Sequence, residues 1–136
     1  MDIVRRNSDY AVRLMVHLAK HYGNGPISTR NAAADENVPY QLACKLMQKL
    51  NNTKLVSSCM GPKGGFVLGN EPSKINLLQI LEAIQGPISM NRCVLSEDAC
   101  KRKKFCKVRE KLAEIQENMT QGLAAITLEQ LKHGAK

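Results

Sequence analysis

Tryptophan is absent from this 136-residue chain, and aromatic residues of all kinds make up only 4% of it. Single-strand nucleic-acid binding relies on aromatic platforms for base stacking, so that mode is disfavoured. No apolar run approaches the roughly 18 residues that a membrane span requires, and the start MDIVRRNSDY lacks the apolar stretch of a secretory signal. The expectation is a cytoplasmic protein with no membrane partner. A nucleophile-base pair, a phosphate-cradling loop and a second cluster motif are also missing, which leaves little support for an enzyme or an electron carrier. There are no internal repeats or low-complexity tracts. The length excludes two large domains and allows one small domain plus an arm that needs a partner.

Positive charge, by contrast, is plentiful: 20 Lys and Arg against 12 Asp and Glu give a formal net charge of +8. Basic surface is the electrostatic footprint of a polyanionic partner, and a duplex grasped through its phosphates fits best. The five cysteines are an odd number in a chain without an export signal, so metal or redox chemistry suits them better than a disulfide scaffold.

The apolar spacing predicts a largely buried first helix from Ser8 to about Tyr22, with Ser8 as N-cap and Gly23 as stop. Ser28 can cap a short, small-sided helix containing Ala32, Ala33 and Ala34. A third helix, from about Tyr40 to Asn52, should bury Leu42, Leu46, Met47 and Leu50 while presenting Gln41, Cys44, Lys45, Gln48 and Lys49 outward. Two β-type runs, Leu55 to Met60 and Phe66 to Leu68, flank the turn Gly61-Pro62-Lys63-Gly64-Gly65. Two tightly joined helices and then a glycine-tipped hairpin read as a winged helix-turn-helix. The expected fold class is therefore mainly α with a small β-hairpin wing, plus a long dimerisation helix.

Downstream, Asn76 and Gln79 form a capping-box pattern before a helix that Gly86-Pro87 ends, and Thr127 and Gln130 repeat it before a short terminal helix. Between about Phe105 and Ala125, Val108, Leu112, Ile115, Met119 and Leu123 make one narrow stripe at near-heptad steps. Such a seam wants another helix, so a homodimer is expected. The expected division is a DNA-binding domain over 1–72, with the helix pair about 28–51 and the wing about 55–69. Residues 73–136 would hold a connecting helix, a cysteine loop (92–107), the dimerisation helix and a terminal helix.

A recognition helix lays polar side chains against base edges while neighbouring basic groups hold phosphates. Gln41, Lys45 and Gln48 project at i, i+4 and i+7, and Gln and Lys are suited to adenine and guanine respectively. Arg30, Lys45, Lys49 and Lys63 would displace counterions from the phosphates. Ser28, Tyr40 and Gly64 complete the candidate contacts with a double-stranded operator. Simple solvation is the bland alternative for such a helix face, and the hairpin that follows tells against it.

Cys93, Cys100 and Cys106 are spaced C-x6-C-x5-C, wider than the pairs that usually hold structural zinc. Iron-sulfur clusters are bound by thiolates and accept a loop wrapped around them. Lys101, Arg102, Lys103, Lys104 and Lys107 crowd this stretch, favouring thiolates and offsetting the negative charge of a ligated cluster. A metal-free thiol switch, in which the same cysteines form reversible disulfides, is the alternative. Cys44 and Cys59 read as small buried or bystander thiols.

SDYAVRLMVHLA, KLVSSCMGPKGGFVLG, INLLQILEAI, CVLSEDACKRKKFC and ITLEQL together span essentially the whole chain. They resemble the Rrf-type winged helix-turn-helix iron-sulfur regulators typified by IscR, NsrR and RirA. The resemblance implies a homodimer whose long helix crosses its twin. It also implies a repressor or dual regulator whose operator affinity follows an iron-sulfur cluster, [2Fe-2S] or [4Fe-4S], sensing iron, redox or nitric oxide status. Assembly regulators of that family use a histidine three residues after the last cysteine, where this chain has Arg109. Nitric-oxide-sensing members use an aspartate from the partner's first helix, a position that Asp9 matches, with first-turn helix stabilisation as its ordinary alternative. His17 and His21 are fallback ligands. Cys44 stands where assembly regulators carry glutamate, and Met60 where they carry arginine, so operator preference does not transfer.

Overall fold

The computed structural model describes residues 4–88 and 107–134. Three helices come first: α1 (Arg6–Lys20), α2 (Thr29–Asp35) and α3 (Tyr40–Asn52). Strands β1 (Val56–Cys59) and β2 (Gly65–Leu68) form an antiparallel hairpin in which Val56 faces Leu68 and Cys59 faces Gly65. A 3-10 turn (Pro72–Lys74) leads to α4 (Leu77–Gln85), and the chain ends with a long helix, α5 (Lys107–Ala124), and a short one, α6 (Leu128–Gly134). The architecture is the expected winged helix-turn-helix with added helices.

Local chemistry explains most of the boundaries. Asn31 N–H donates to the Ser28 hydroxyl at 3.1 Å, so Ser28 caps α2 as its position predicts. Both helices of the helix-turn-helix end in Schellman turns. Val38 N–H returns to Ala33 C=O at 2.9 Å after Asn37, which has φ +56°, and Leu55 N–H returns to Leu50 C=O at 3.0 Å after Lys54, which has φ +65°. Both predicted capping boxes form. Asn76 and Gln79 exchange two bonds of 2.9 Å, and Thr127 and Gln130 exchange bonds of 3.1 and 3.4 Å. The two boxes lie side by side, because Leu77 N–H donates to Ile126 C=O and Leu128 N–H to Ile75 C=O.

Ser8 departs from expectation. It is not the cap of α1 but a fully buried residue inside it, and its hydroxyl donates to Gln85 Oε1 at 2.6 Å. The helix starts earlier, at Arg6, because the same Gln85 oxygen accepts the Arg5 N–H at 3.1 Å and does the capping from another helix. At the other end α1 stops at Lys20, three residues short of Gly23.

Helix α1 is the hub, touching α2, α3, α4, α6 and β2. Its Leu14, Met15 and Leu18 share one core with Leu46, Met47 and Leu50 of α3, with Val56 and Leu68 of the wing, and with Ile75, Ile80, Ile84 and Leu128. Leu42 is only partly buried, and Ala43 takes the deeper place on α3. Helix α5 packs on α4 yet buries none of its own residues.

Candidate nucleic-acid interface

The buried face of α3 consists of Ala43, Leu46, Met47 and Leu50, so its opposite face is necessarily turned outward. Gln41, Cys44, Lys45 and Gln48 all stand exposed there. Gln48 already spends one donor on Asn52 Oδ1, at 3.2 Å. At the N-terminal end of α3, the Arg30 guanidinium of α2 lies 4.3 Å from the ring centroid of Tyr40. This cation–π contact holds two candidate contact residues from different helices as one unit, a pairing the sequence pattern did not indicate.

Lys49 behaves differently from Lys45. It is exposed, as expected, and its ammonium also reaches 3.4 Å from the Ile84 carbonyl in α4, a contact that Lys45 does not share. Ser28 lends its hydroxyl to the α2 cap, so its structural role is the one on view.

In the wing, Gly64 N–H donates to Gly61 C=O at 2.9 Å, closing a turn with Pro62 and Lys63 at its tip. Lys63 is exposed. Gly61 adopts φ +110°, which disfavours other residues, and a Cβ on Gly65 would collide with the Ile27 carbonyl, which bridges to Phe66. Met60, beside the tip, is 95% exposed, the most accessible large apolar side chain among the described residues. Sequence reasoning gave it no contact role, although an exposed apolar residue on a wing is itself a signal.

Cys93, Cys100 and Cys106 lie outside the described residues. Asp9 sits on the first turn of α1, half exposed, with its carboxylate 3.0 Å from the Arg13 guanidinium. His17 is buried, its ring nitrogens facing Asp35 at 3.6 Å and Glu36 at 3.7 Å, and the exposed His21 ring is centred 4.8 Å away. Cys44 is exposed on the outer face of α3, where burial had been one expectation, and Cys59 is half-buried in β1. The described residues contain no group of three or more His, Cys, Asp or Glu side chains arranged to hold a metal ion. On α5, Val108 is 66% and Ile115 52% exposed, while Leu112, Met119 and Leu123 are half-buried.

Residues 4–134 match the model of a family described as "Rrf2: Iron-dependent Transcriptional regulator". The chain belongs to the Rrf2 family. Among Rrf2 relatives, the HTH-type transcriptional regulator CymR of Bacillus subtilis is 34% identical over 119 residues, 87% of this chain and 86% of that one. The HTH-type transcriptional regulator IscR of Xenorhabdus nematophila is 27% identical over 122 residues, 90% of this chain and 74% of that one. A solved structure described as CymR, the global cysteine regulator of B. subtilis, superposes with a TM-score of 0.82 at 30% identity, covering 100% of both chains. This Rrf2 protein is thus a transcriptional regulator with the winged-helix architecture of its family. No helix among its described residues is long and apolar enough to cross a membrane.

Proposed function

We propose that this protein is a cytoplasmic, non-enzymatic regulator that binds operator DNA as a homodimer, with the outer face of α3 in the major groove and the wing tip on the backbone or minor groove. The observation that carries this reading is the division of α3. One face is locked into the core and the other presents Gln41, Lys45 and Gln48 together, with Arg30 stacked on Tyr40 at its start. Gln41 and Gln48 supply base-edge hydrogen bonding, while Arg30, Lys45, Lys63 and the close backbone approach at Gly64 serve phosphates. The 72/73 boundary is a division of labour rather than of cores, since Ile80 and Leu128 complete the same core as Leu14 and Leu50. Val108, Leu112, Ile115, Met119 and Leu123 form the dimer seam.

Control of affinity is assigned to Cys93, Cys100 and Cys106 as ligands of an iron-sulfur cluster, consistent with the family's description as iron-dependent. Three thiols among cations suit the cluster's charge, and the exposed Asp9 carboxylate, engaged with Arg13, offers an oxygen donor from the partner subunit. Such a group, when bound, supplies a ligand sphere that changes with iron, redox or nitric oxide status. In the second reading the same three cysteines act as a metal-free thiol switch through reversible disulfides.

An operator selected from random duplexes tests the DNA reading. Lys63→Ala should weaken all sequences similarly, whereas Gln41→Ala should relax preference at one base pair by about 1–3 kcal/mol. An unchanged ranking of operators in Gln41→Ala places the recognition face elsewhere. Iron and sulfide analysis with a visible spectrum of anaerobically purified protein separates the two control readings, because only a cluster gives coloured protein.

A further inference from the structure

We infer that the last turn of α4 is a joint that sets the position of the recognition helix, and that Lys49 is a positioning residue within it rather than a phosphate contact. The inference builds on the DNA-binding role proposed for α3 and assigns that surface one residue fewer than its charge pattern suggests.

Helix α4 ends at Gln85, so the carbonyls of its last turn lose their i+4 donors. Gly86 N–H turns back to Glu82 C=O at 3.0 Å, and α4 has no basic residue in its own last turn. The Lys49 ammonium, carried in from α3, meets the Ile84 carbonyl at 3.4 Å and places a cation at the negative end of α4. One residue further on, Gln85 Oε1 accepts both the Arg5 N–H at 3.1 Å and the buried Ser8 hydroxyl at 2.6 Å, capping α1, which has no side-chain cap of its own.

Two consecutive residues of α4 therefore hold α3 on one side and the start of α1 on the other. Each bond crosses between helices and would be broken by a small shift of the α4 end. In sequence, the same turn leads through Gly86 and Pro87 toward Cys93, the first of the three cysteines to which control of affinity is assigned.

The test is the affinity of the full-length protein for its operator as a function of salt. Each phosphate contact contributes about 0.9 to the slope of log K against log salt. Lys45→Met should lower that slope by about this amount per protomer. Lys49→Met should lower affinity on the order of tenfold at every salt concentration, as expected for lost coupling, with the wild-type slope retained, and Lys49→Arg should restore the affinity. Gln85→Leu, which removes no charge, should behave like Lys49→Met and serves if that variant does not fold. A slope that falls in Lys49→Met as it does in Lys45→Met makes Lys49 a phosphate contact and overturns the proposal. Unchanged affinity in folded Lys49→Met or Gln85→Leu also overturns it. Failure of wild-type protein to bind any duplex would instead sink the DNA-binding reading itself.

Discussion

Helices α1 and α5 are both amphipathic, and they meet their surroundings in opposite ways. The 15-residue α1 buries Ser8, Ala11, Leu14, Met15, His17, Leu18 and Ala19 within the chain, whereas the 18-residue α5 buries nothing. The difference lies in how each stripe is covered. Around α1 stand α2, α3, α4, α6 and β2, while α5 has α4 along part of its length and leaves Val108 and Ile115 facing solvent. A single protomer thus completes the core around α1 without help and leaves on its long helix an uncovered apolar stripe, the surface to which the proposed dimer is assigned.

The contrast can be broken most forcefully in the core. Leu14→Ala should cost about 2–5 kcal/mol, because the side chain is fully buried and the surrounding helices cannot collapse onto the gap. Urea unfolding monitored by circular dichroism measures this, and a loss under about 1 kcal/mol would mean that the α1 core is looser than its burial indicates.

On α5 the expected effect is on assembly rather than on protomer stability. Replacing Ile115 and Met119 together with Glu should give monomers that keep their helical content yet no longer bind palindromic operators. Sedimentation at matched concentrations reads this out, and a wild-type monomer would remove the reason for the exposed seam.

The smallest effect belongs to the turn joining α3 and the wing. Lys54 holds φ +65°, a left-handed conformation that costs a residue with a Cβ roughly 1 kcal/mol. Lys54→Gly should therefore raise the unfolding midpoint slightly, offset in part by the greater freedom of glycine in the unfolded chain. A lowered midpoint would show that the lysine side chain contributes more than its backbone strain removes.

Much of the architecture was legible because its determinants are local. Ser28 with Asn31, Asn76 with Gln79 and Thr127 with Gln130 are all three residues apart, so the spacing alone reveals the bond. The faces of α3 follow from the 3.6-residue period, and the turn Gly61-Pro62-Lys63-Gly64-Gly65 from the conformations that only such residues adopt readily. The candidate site was legible to the same degree, as a set of exposed side chains on one helix and one turn.

What the sequence by itself determined, then, is the winged helix-turn-helix, its capped helices, its basic outer face and the unfilled stripe of α5, since period, cap and turn signals all act within a few residues. Only the tertiary structure decided that Ser8 is buried instead of capping, that Gln85 caps α1 from 80 residues away, that Arg30 stacks on Tyr40, and that the Lys49 ammonium meets the Ile84 carbonyl. These pairings join side chains to orphaned groups at helix ends or to rings on other helices. Such partners come within reach only once packing has brought the helices together, and no local periodicity encodes which of several equivalent cations or hydroxyls will be the one to arrive.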